Sequence, residues 1–327
     1  MTTRRDSLIA LGASALAAPL VSFSQQPPKI ARIGYLGQMS NVASAKEVDA
    51  LRAGLRDLGY VEGKNVTIEF RWSEGRNERL PDLAAELVRL KVDVIVASGT
   101  PPSLAAKRAT TTIPIVMTTV GDPVATGLVA SLARPGGNAT GTGIFSSELM
   151  VKLLDLLMEA LPRTRRVGVL WNPTNPVQRI SVEAMENTAR RLNVEVQRFE
   201  ARAPDEIESA FAAMAKQRVD AVVITQDGIF IQNPGLIADL AAKQRLPSIG
   251  VGQIAEAGGL LGYGVILLEL NRRSAYFVDK ILKGAKPGDL PVEQATKFEV
   301  VINVKTAKAL GIKIPSSILL RADKVIE

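Results

Sequence analysis

Val92–Asp93–Val94–Ile95–Val96–Ala97 is a short apolar run that breaks at Ser98–Gly99–Thr100–Pro101, and a helical pattern continues to Ala109. A strand-length apolar run closed by small residues and followed by a helix reads as one βα unit. The run is apolar on both of its faces, which suits a parallel sheet covered on both sides. Outward from it the same alternation recurs. Ile30–Leu36, Val66–Trp72 and Ile113–Thr118 read as further strands. Glu47–Leu58 sets Val48, Leu51, Leu55 and Leu58 on one helical face, and Gly59 ends that helix. Pro81–Leu90 reads as a helix with proline in its first turn.

The second half of the chain repeats the pattern. Arg166–Trp171, Val194–Phe199, Val219–Thr225 and Pro247–Val251 read as strands, separated by helices at Ile180–Leu192, Pro204–Lys216 and Pro234–Gln244. Ile33 corresponds to Val167, Val92–Asp93 to Val219–Asp220, and Ile113–Pro114 to Leu246–Pro247, at a nearly constant spacing along the chain. The expected fold is therefore α/β: two similar Rossmann-like lobes, each a parallel sheet flanked by helices. Two glycine-rich stretches, Arg134–Gly143 and Gly258–Gly264, read as turns at crossings between the lobes, and a last helix at Leu267–Leu282 precedes a strand at Phe298–Asn303 and a short helix at Lys305–Leu310. This predicts lobe one over 29–141 plus 265–288, lobe two over 144–258 plus 289–327, and several hinge crossings between them.

A chain of 327 residues with 46% hydrophobic side chains exceeds one ordinary domain, in keeping with two lobes. It has no cysteine and no histidine. The first absence excludes disulfides, thiolate metal sites, iron–sulfur clusters and thiol catalysis; the second excludes a Ser-His-Asp triad, an HExxH zinc site and a histidine acid or base. The net charge of +7 is spread among acidic neighbours, as in Arg71–Trp72–Ser73–Glu74–Gly75–Arg76, which describes a mixed solvated surface rather than a nucleic-acid footprint. At the N-terminus Arg4–Arg5 precedes a short small-residue apolar stretch, which reads as an export leader over residues 1–24, by the twin-arginine or the general route.

Motifs for chemistry are few. The glycines from Gly136 to Gly143 do not follow a first strand, so they make no dinucleotide fingerprint, and Gly99 to Lys107 lacks the Gly-Lys-Ser/Thr of a phosphate loop. No catalytic residue, metal site or cofactor is expected. What remains are strand ends, where open parallel sheets bind ligands. In the first half these are Gln38, then Ser98, Gly99 and Thr100, then Asp122; in the second half Trp171, Asn172 and Asn175, then Asp227. Ser98–Gly99–Thr100 opens a helix, so its N–H groups and hydroxyls suit a carboxylate, with simple helix capping as the alternative. Asp227 suits an ammonium group, or is a turn aspartate. Trp171 and Tyr263, two of few aromatics, suit stacking on a ligand, or core packing.

Several segments resemble a known family. Gly59–Tyr60–Val61–Glu62–Gly63–Lys64–Asn65–Val66, Gly121–Asp122–Pro123–Val124, Ser131 to Asn138, Trp171–Asn172–Pro173, Ile281 to Pro287, and Thr296–Lys297–Phe298–Glu299 through Ala309–Leu310–Gly311 are similar to signatures of bacterial ABC-transporter substrate-binding proteins with the type I periplasmic-binding fold. The similarity runs through residues 30–327. Two places depart from it: Val265–Ile266–Leu267–Leu268 stands where related chains often carry a polar Pro-Asp pair, and the loop Gln38–Met39–Ser40–Asn41 belongs to a region that varies within the family. The resemblance implies an exported, periplasmic, monomeric protein that captures a small molecule, an amino acid or related carboxylate, and delivers it to an ABC permease without catalysis. Some members bind tryptophan or tyrosine. The rival readings are a ligand-sensing module of the same fold, which needs an output partner, and an α/β enzyme, which needs an acid/base set that this chain does not display.

Overall fold

The computed structural model describes residues 30–327; the expected leader lies outside the described residues. The first lobe opens with β1 (Ala31–Gly37), α1 (Ala45–Asp57), β2 (Val66–Trp72), α2 (Leu80–Arg89), β3 (Val94–Ser98), α3 (Thr100–Ala109), β4 (Ile115–Gly121) and β5 (Ala139–Ile144). The chain then builds the second lobe through α4 (Ser146–Ala160), β6 (Arg166–Trp171), α5 (Pro176–Arg191), β7 (Glu195–Glu200), α6 (Ile207–Gln217), β8 (Ala221–Ile224), α7 (Gly228–Ile231), α8 (Pro234–Lys243), β9 (Ser248–Gly250), α9 (Gly252–Glu256) and β10 (Leu261–Val265). It returns to the first lobe with α10 (Leu267–Leu282) and β11 (Glu293–Gln294). It ends in the second with β12 (Phe298–Asn303), α11 (Val304–Leu310), α12 (Ser316–Leu319) and β13 (Lys324–Ile326).

The first sheet has the order β11-β5-β4-β3-β1-β2 and is parallel throughout; the second has the order β13-β12-β10-β9-β8-β6-β7, with β10 and β12 antiparallel. In both, the central strands are buried along their length, as the two-sided apolar runs require. Helix α1 turns Val48, Leu51 and Leu55 inward onto Ile33, Tyr35 and Val94, and α10 adds Ala275, Phe277 and Val278 to the same core. Each such fully buried large side chain contributes about 1.5–3 kcal/mol. The two helices approach closely because α1 carries Gly54 at the crossing: a Cβ there would stand 2.5 Å from the Arg272 carbonyl oxygen. Among the described residues no helix is long and apolar enough to cross a membrane.

The glycine-rich stretches run into strands at their C-terminal ends rather than forming loose connections throughout. Residues 139–144 form β5 and residues 261–265 form β10, so the first sheet runs past 141 and the second past 258. Gly141 has φ +132 inside β5, beside the irregularity of β4 between Met117 and Val120. A Cβ on it would lie 2.1 Å from the Met117 carbonyl oxygen. Glycine is needed here because backbone meets backbone, not because the chain must bend freely. The tail also divides: β11 pairs with β5 in the first sheet, whereas residues from 289 on were expected with the second lobe. The chain thus changes sheets three times, at Phe145, at Ile266 and at Thr296–Lys297. Helix α4 sends Met150, Leu153 and Leu154 into the second lobe's core.

Candidate functional site

The carboxyl ends of the strands of both sheets face each other, and a cavity of about 60 Å³ lies between them. The first lobe supplies Gln38 and Met39 after β1, Glu47 in the first turn of α1, Ser98 to Thr100 at the start of α3, and Thr119 and Gly121 at the end of β4. The second supplies Ser146 at the start of α4, Asn175 and Val177 at the start of α5, and Gln226 to Gly228 ahead of α7. Leu267 and Asn271 of α10 close the space at the second crossing. Several helices therefore point their N-termini at one small volume, where free N–H groups and the helix dipoles favour an anion.

Acceptors in the same wall favour a cation. Glu47 is 8% exposed and its Oε2 has no hydrogen-bond partner; burial pushes its carboxyl above the usual range. Asn271 is 1% exposed and donates Nδ2 to the Leu267 carbonyl at 2.9 Å, leaving Oδ1 without a partner. Gln226 Oε1 is likewise unpartnered. An unsatisfied buried acceptor costs about 1–3 kcal/mol, so three around one cavity define where a donor-rich group gains most. Thr119, a β-branched residue held at φ 57, stands on the same wall, and such strain gathers at ligand sites.

Asp227 is used differently. Its Oδ2 accepts from Asn175 Nδ2 at 2.8 Å, and its Oδ1 accepts from the Ile229 N–H at 3.0 Å, Gln38 Nε2 at 3.1 Å and Asn172 Nδ2 at 3.3 Å. It caps α7 as a turn aspartate would, and it also holds the two lobes together through Gln38. Burial raises its carboxyl, and the donors from Asn175, Ile229, Asn172 and Gln38 counteract that. Gln38 is fixed from behind, since its carbonyl accepts from Gly75 N–H at 2.7 Å and Ser73 Oγ at 3.1 Å. Its Nε2 also donates to Asn77 Oδ1 at 3.0 Å, and its Oε1 accepts from the Gly228 N–H at 3.3 Å. Asn77 Nδ2 crosses to Thr174 Oγ1 at 2.8 Å, and Thr174 Oγ1 donates to Asn172 Oδ1 at 2.7 Å. Gln38, Asn77, Thr174, Asn172 and Asp227 thereby close a ring of side-chain hydrogen bonds across the cleft. Ser40 N–H to Gln232 Oε1 at 3.2 Å adds a further bond between lobes.

Of the residues expected at the site, Gln38, Ser98, Gly99, Thr100, Asn175 and Asp227 line the cavity together. Thr100 Oγ1 already accepts from the Gly121 N–H at 3.0 Å, and the Ser98 hydroxyl is hydrogen-bonded to Tyr35. Pro101 and Pro102 follow Thr100 and lack N–H groups, so the start of α3 offers fewer donors than a helix start normally does. The other four expected residues stand off the cavity. Asp122 lies just beyond Gly121, at φ 40, and accepts from Ser147 Oγ at 3.2 Å at the first crossing; burial raises its carboxyl. Asn172 acts through Asp227. Trp171 is packed in the second lobe's core, with the Arg198 guanidinium 5.4 Å from its ring centroid. Tyr263 stacks on Phe298 at 5.9 Å and borders a separate space of about 10 Å³ with Leu149 and Met150; Gln226 stands between that space and the main cavity. Sequence reading missed Glu47, Thr119, Ser146 and Asn271; Gln226 is reached there only as the neighbour of Asp227 at a strand end. Glu47 passes there for an ordinary acidic residue at a helix start, and only its burial distinguishes it.

Residues 33–326 match the family model described as ABC transporter substrate binding protein. A tyrosine-binding protein of Clostridioides difficile (strain R20291) is 30% identical over 260 residues, which cover 79% of this chain and 74% of that protein. The crystal structure of an ABC domain in complex with L-Trp from Streptococcus pneumonia superposes with a TM-score of 0.84 at 28% identity, covering 90% of this chain and 99% of that one. The ligand-free, open structure of a substrate-binding protein with adhesive properties from Clostridium difficile superposes at 0.63 with 25% identity, covering 91% and 99%. The higher score with the ligand complex accords with lobes that touch across the cleft. With its two α/β lobes and the cavity between them, the chain belongs to the ABC transporter substrate-binding protein family.

Proposed function

We propose that this protein captures an α-amino acid with an apolar side chain between its lobes, in the periplasm after export, and presents it to an ABC permease. The observation that carries the reading is the double character of the cavity wall. Helix N-termini face it, and so do the unpartnered acceptors of Glu47, Asn271 and Gln226. A zwitterion satisfies both. Its carboxylate meets the N–H groups at the start of α4 and the single N–H of Thr100 at the start of α3, and its ammonium meets Glu47 Oε2 and Asn271 Oδ1. Met39, Ile144, Ile231 and Leu267 supply apolar wall for a side chain. The tyrosine- and tryptophan-binding relatives support an aromatic side chain. The cavity of about 60 Å³ is well below the roughly 150 Å³ that holds a benzene ring, so an aromatic ligand needs Gln226 to swing aside and join it to the space beside Tyr263.

Capture works by differential contact. Only when the lobes meet are both ends of the ligand satisfied, so the ligand stabilises the closed arrangement by its extra affinity for it. The reading involves no covalent step and no cofactor. Isothermal titration of the mature protein against the twenty amino acids and their deaminated analogues tests it. Binding of one or more amino acids, with the deaminated analogue at least tenfold weaker, is expected. Equal binding of analogue and amino acid defeats the zwitterion reading.

A further inference from the structure

On the outer face of the first lobe, α2 and α3 leave a groove of about 610 Å³, far larger than the cavity between the lobes. Its floor is apolar, from Leu80 and Val88 of α2 and Leu104 and Ala105 of α3. One wall comes from the other lobe, from Thr174 and Pro176 at the start of α5. Arg89 and Arg108 stand at the rim, both exposed. Among the described residues neither guanidinium has an ion-pair partner, whereas Arg52, Arg71, Arg198 and Arg273 are each paired with a glutamate.

Two features tie this groove to ligand capture. It exists in this form only while the lobes touch, because Thr174 and Pro176 reach it across the cleft. It is also wired to the cavity. Asn77 and Thr174, which line the groove, are members of the same hydrogen-bonded ring as Gln38 and Asp227, which line the cavity. A partner seated in the groove therefore touches side chains whose positions are set by closure over the ligand.

We propose that this groove is the docking surface for the permease, and that it receives an extracytoplasmic segment carrying an apolar side chain beside one or more carboxylates. The apolar floor takes the side chain, and the unpaired guanidiniums of Arg89 and Arg108 take the carboxylates bidentately. Docking is selective for the loaded protein because one wall of the groove is delivered by closure. The proposal rests on the transport reading above.

The test has two arms. In cells, p-benzoylphenylalanine placed at Pro81, exposed at the groove's edge, should photo-crosslink to the membrane subunit of the permease, while the same group at Lys216, on the far helix α6, should not. A crosslink to a second copy of this chain, no crosslink at Pro81, or equal crosslinking from Lys216 overturns the proposal. In proteoliposomes holding the cognate transporter, Arg89→Glu/Arg108→Glu should lower stimulation of ATP hydrolysis by wild-type levels of L-tyrosine- or L-tryptophan-loaded protein at least tenfold, with the dissociation constants for these amino acids within twofold of wild type. Stimulation equal to wild type removes the groove alone. Wild-type protein that fails to stimulate removes the transport reading and the groove with it. A loss repaired by saturating amino acid assigns the arginines to closure and overturns docking.

Discussion

Glu47→Gln separates the two tasks of the cavity wall. The side chain is almost fully buried, its Oε2 has no protein partner, and burial already raises its carboxyl. Glutamine keeps the shape and the helix but removes the charge. For an amino acid the change removes a charge-assisted hydrogen bond to the ammonium, about 1.5–3 kcal/mol, or roughly ten- to over a hundredfold in affinity. For the protein alone the sign reverses, because a buried charge without a partner opposes folding and its removal raises the melting temperature. Calorimetric titration with L-tyrosine and with 3-(4-hydroxyphenyl)propionate, which lacks only the α-amine, reads the first effect; thermal unfolding reads the second. Affinity should fall for the amine and stay within threefold for the analogue. An equal loss for both ligands, or none for either, refutes the assignment of Glu47 to the ammonium.

Three further outcomes follow from the same geometry. Gln38→Ala removes hydrogen bonds to Asp227, Asn77 and Gly228, each contributing about 0.5–1.5 kcal/mol, so the lobes should open in small-angle scattering without ligand and affinity should fall about tenfold. Burial raises the Glu47 carboxyl in the folded protein, so between the ordinary value of about 4.3 and the raised one the folded state holds the extra proton, and stability is lost as pH rises through that window; the melting-temperature gain of Glu47→Gln over wild type should therefore grow from acid to neutral pH, and a constant gain contradicts the titration. Gly141→Ala forces a Cβ to within 2.1 Å of the Met117 carbonyl oxygen at φ +132, so unfolding in urea should show a loss of about 2–5 kcal/mol, and a loss under 1 kcal/mol contradicts the strand crowding.

The two-lobed architecture is legible from the chain because βα units repeat, and because Val92–Ala97 and Val219–Thr225 are apolar on both faces. Strand ends such as Ser98–Thr100 and Asp227 are legible as cleft residues for the same reason: a parallel sheet directs them there. Other parts escape sequence reading for physical causes. Gly141 of β5 and Gly262 of β10 look like punctuation, yet they answer to neighbouring backbone that only the folded sheet brings close. Trp171 reads from the sequence either as a ligand platform or as a core residue, and only the strand's orientation selects the core. Glu47 and Asn271 look like ordinary helix residues, because what sets them apart is burial without a partner, and that depends on α10 returning from the other lobe. Asp227 is legible as a polar group in the cleft, but three of its four donors, Gln38, Asn172 and Asn175, come from segments far away in the chain.

The return of α10 also sets an order of assembly on the ribosome or behind a translocation pore. Val94, Val96 and Val116 of the first sheet are covered by Ala275, Phe277 and Val278, and roughly 120 residues of the second lobe are made in between. At about 5–20 residues per second, the roughly 160 residues from Val116 to Ala275 keep this apolar face waiting roughly 8–32 s for its cover. The nascent first lobe cannot complete its core ahead of the second, because the helix that covers β1, β3 and β4 is synthesised after the second lobe's strands β6 to β10.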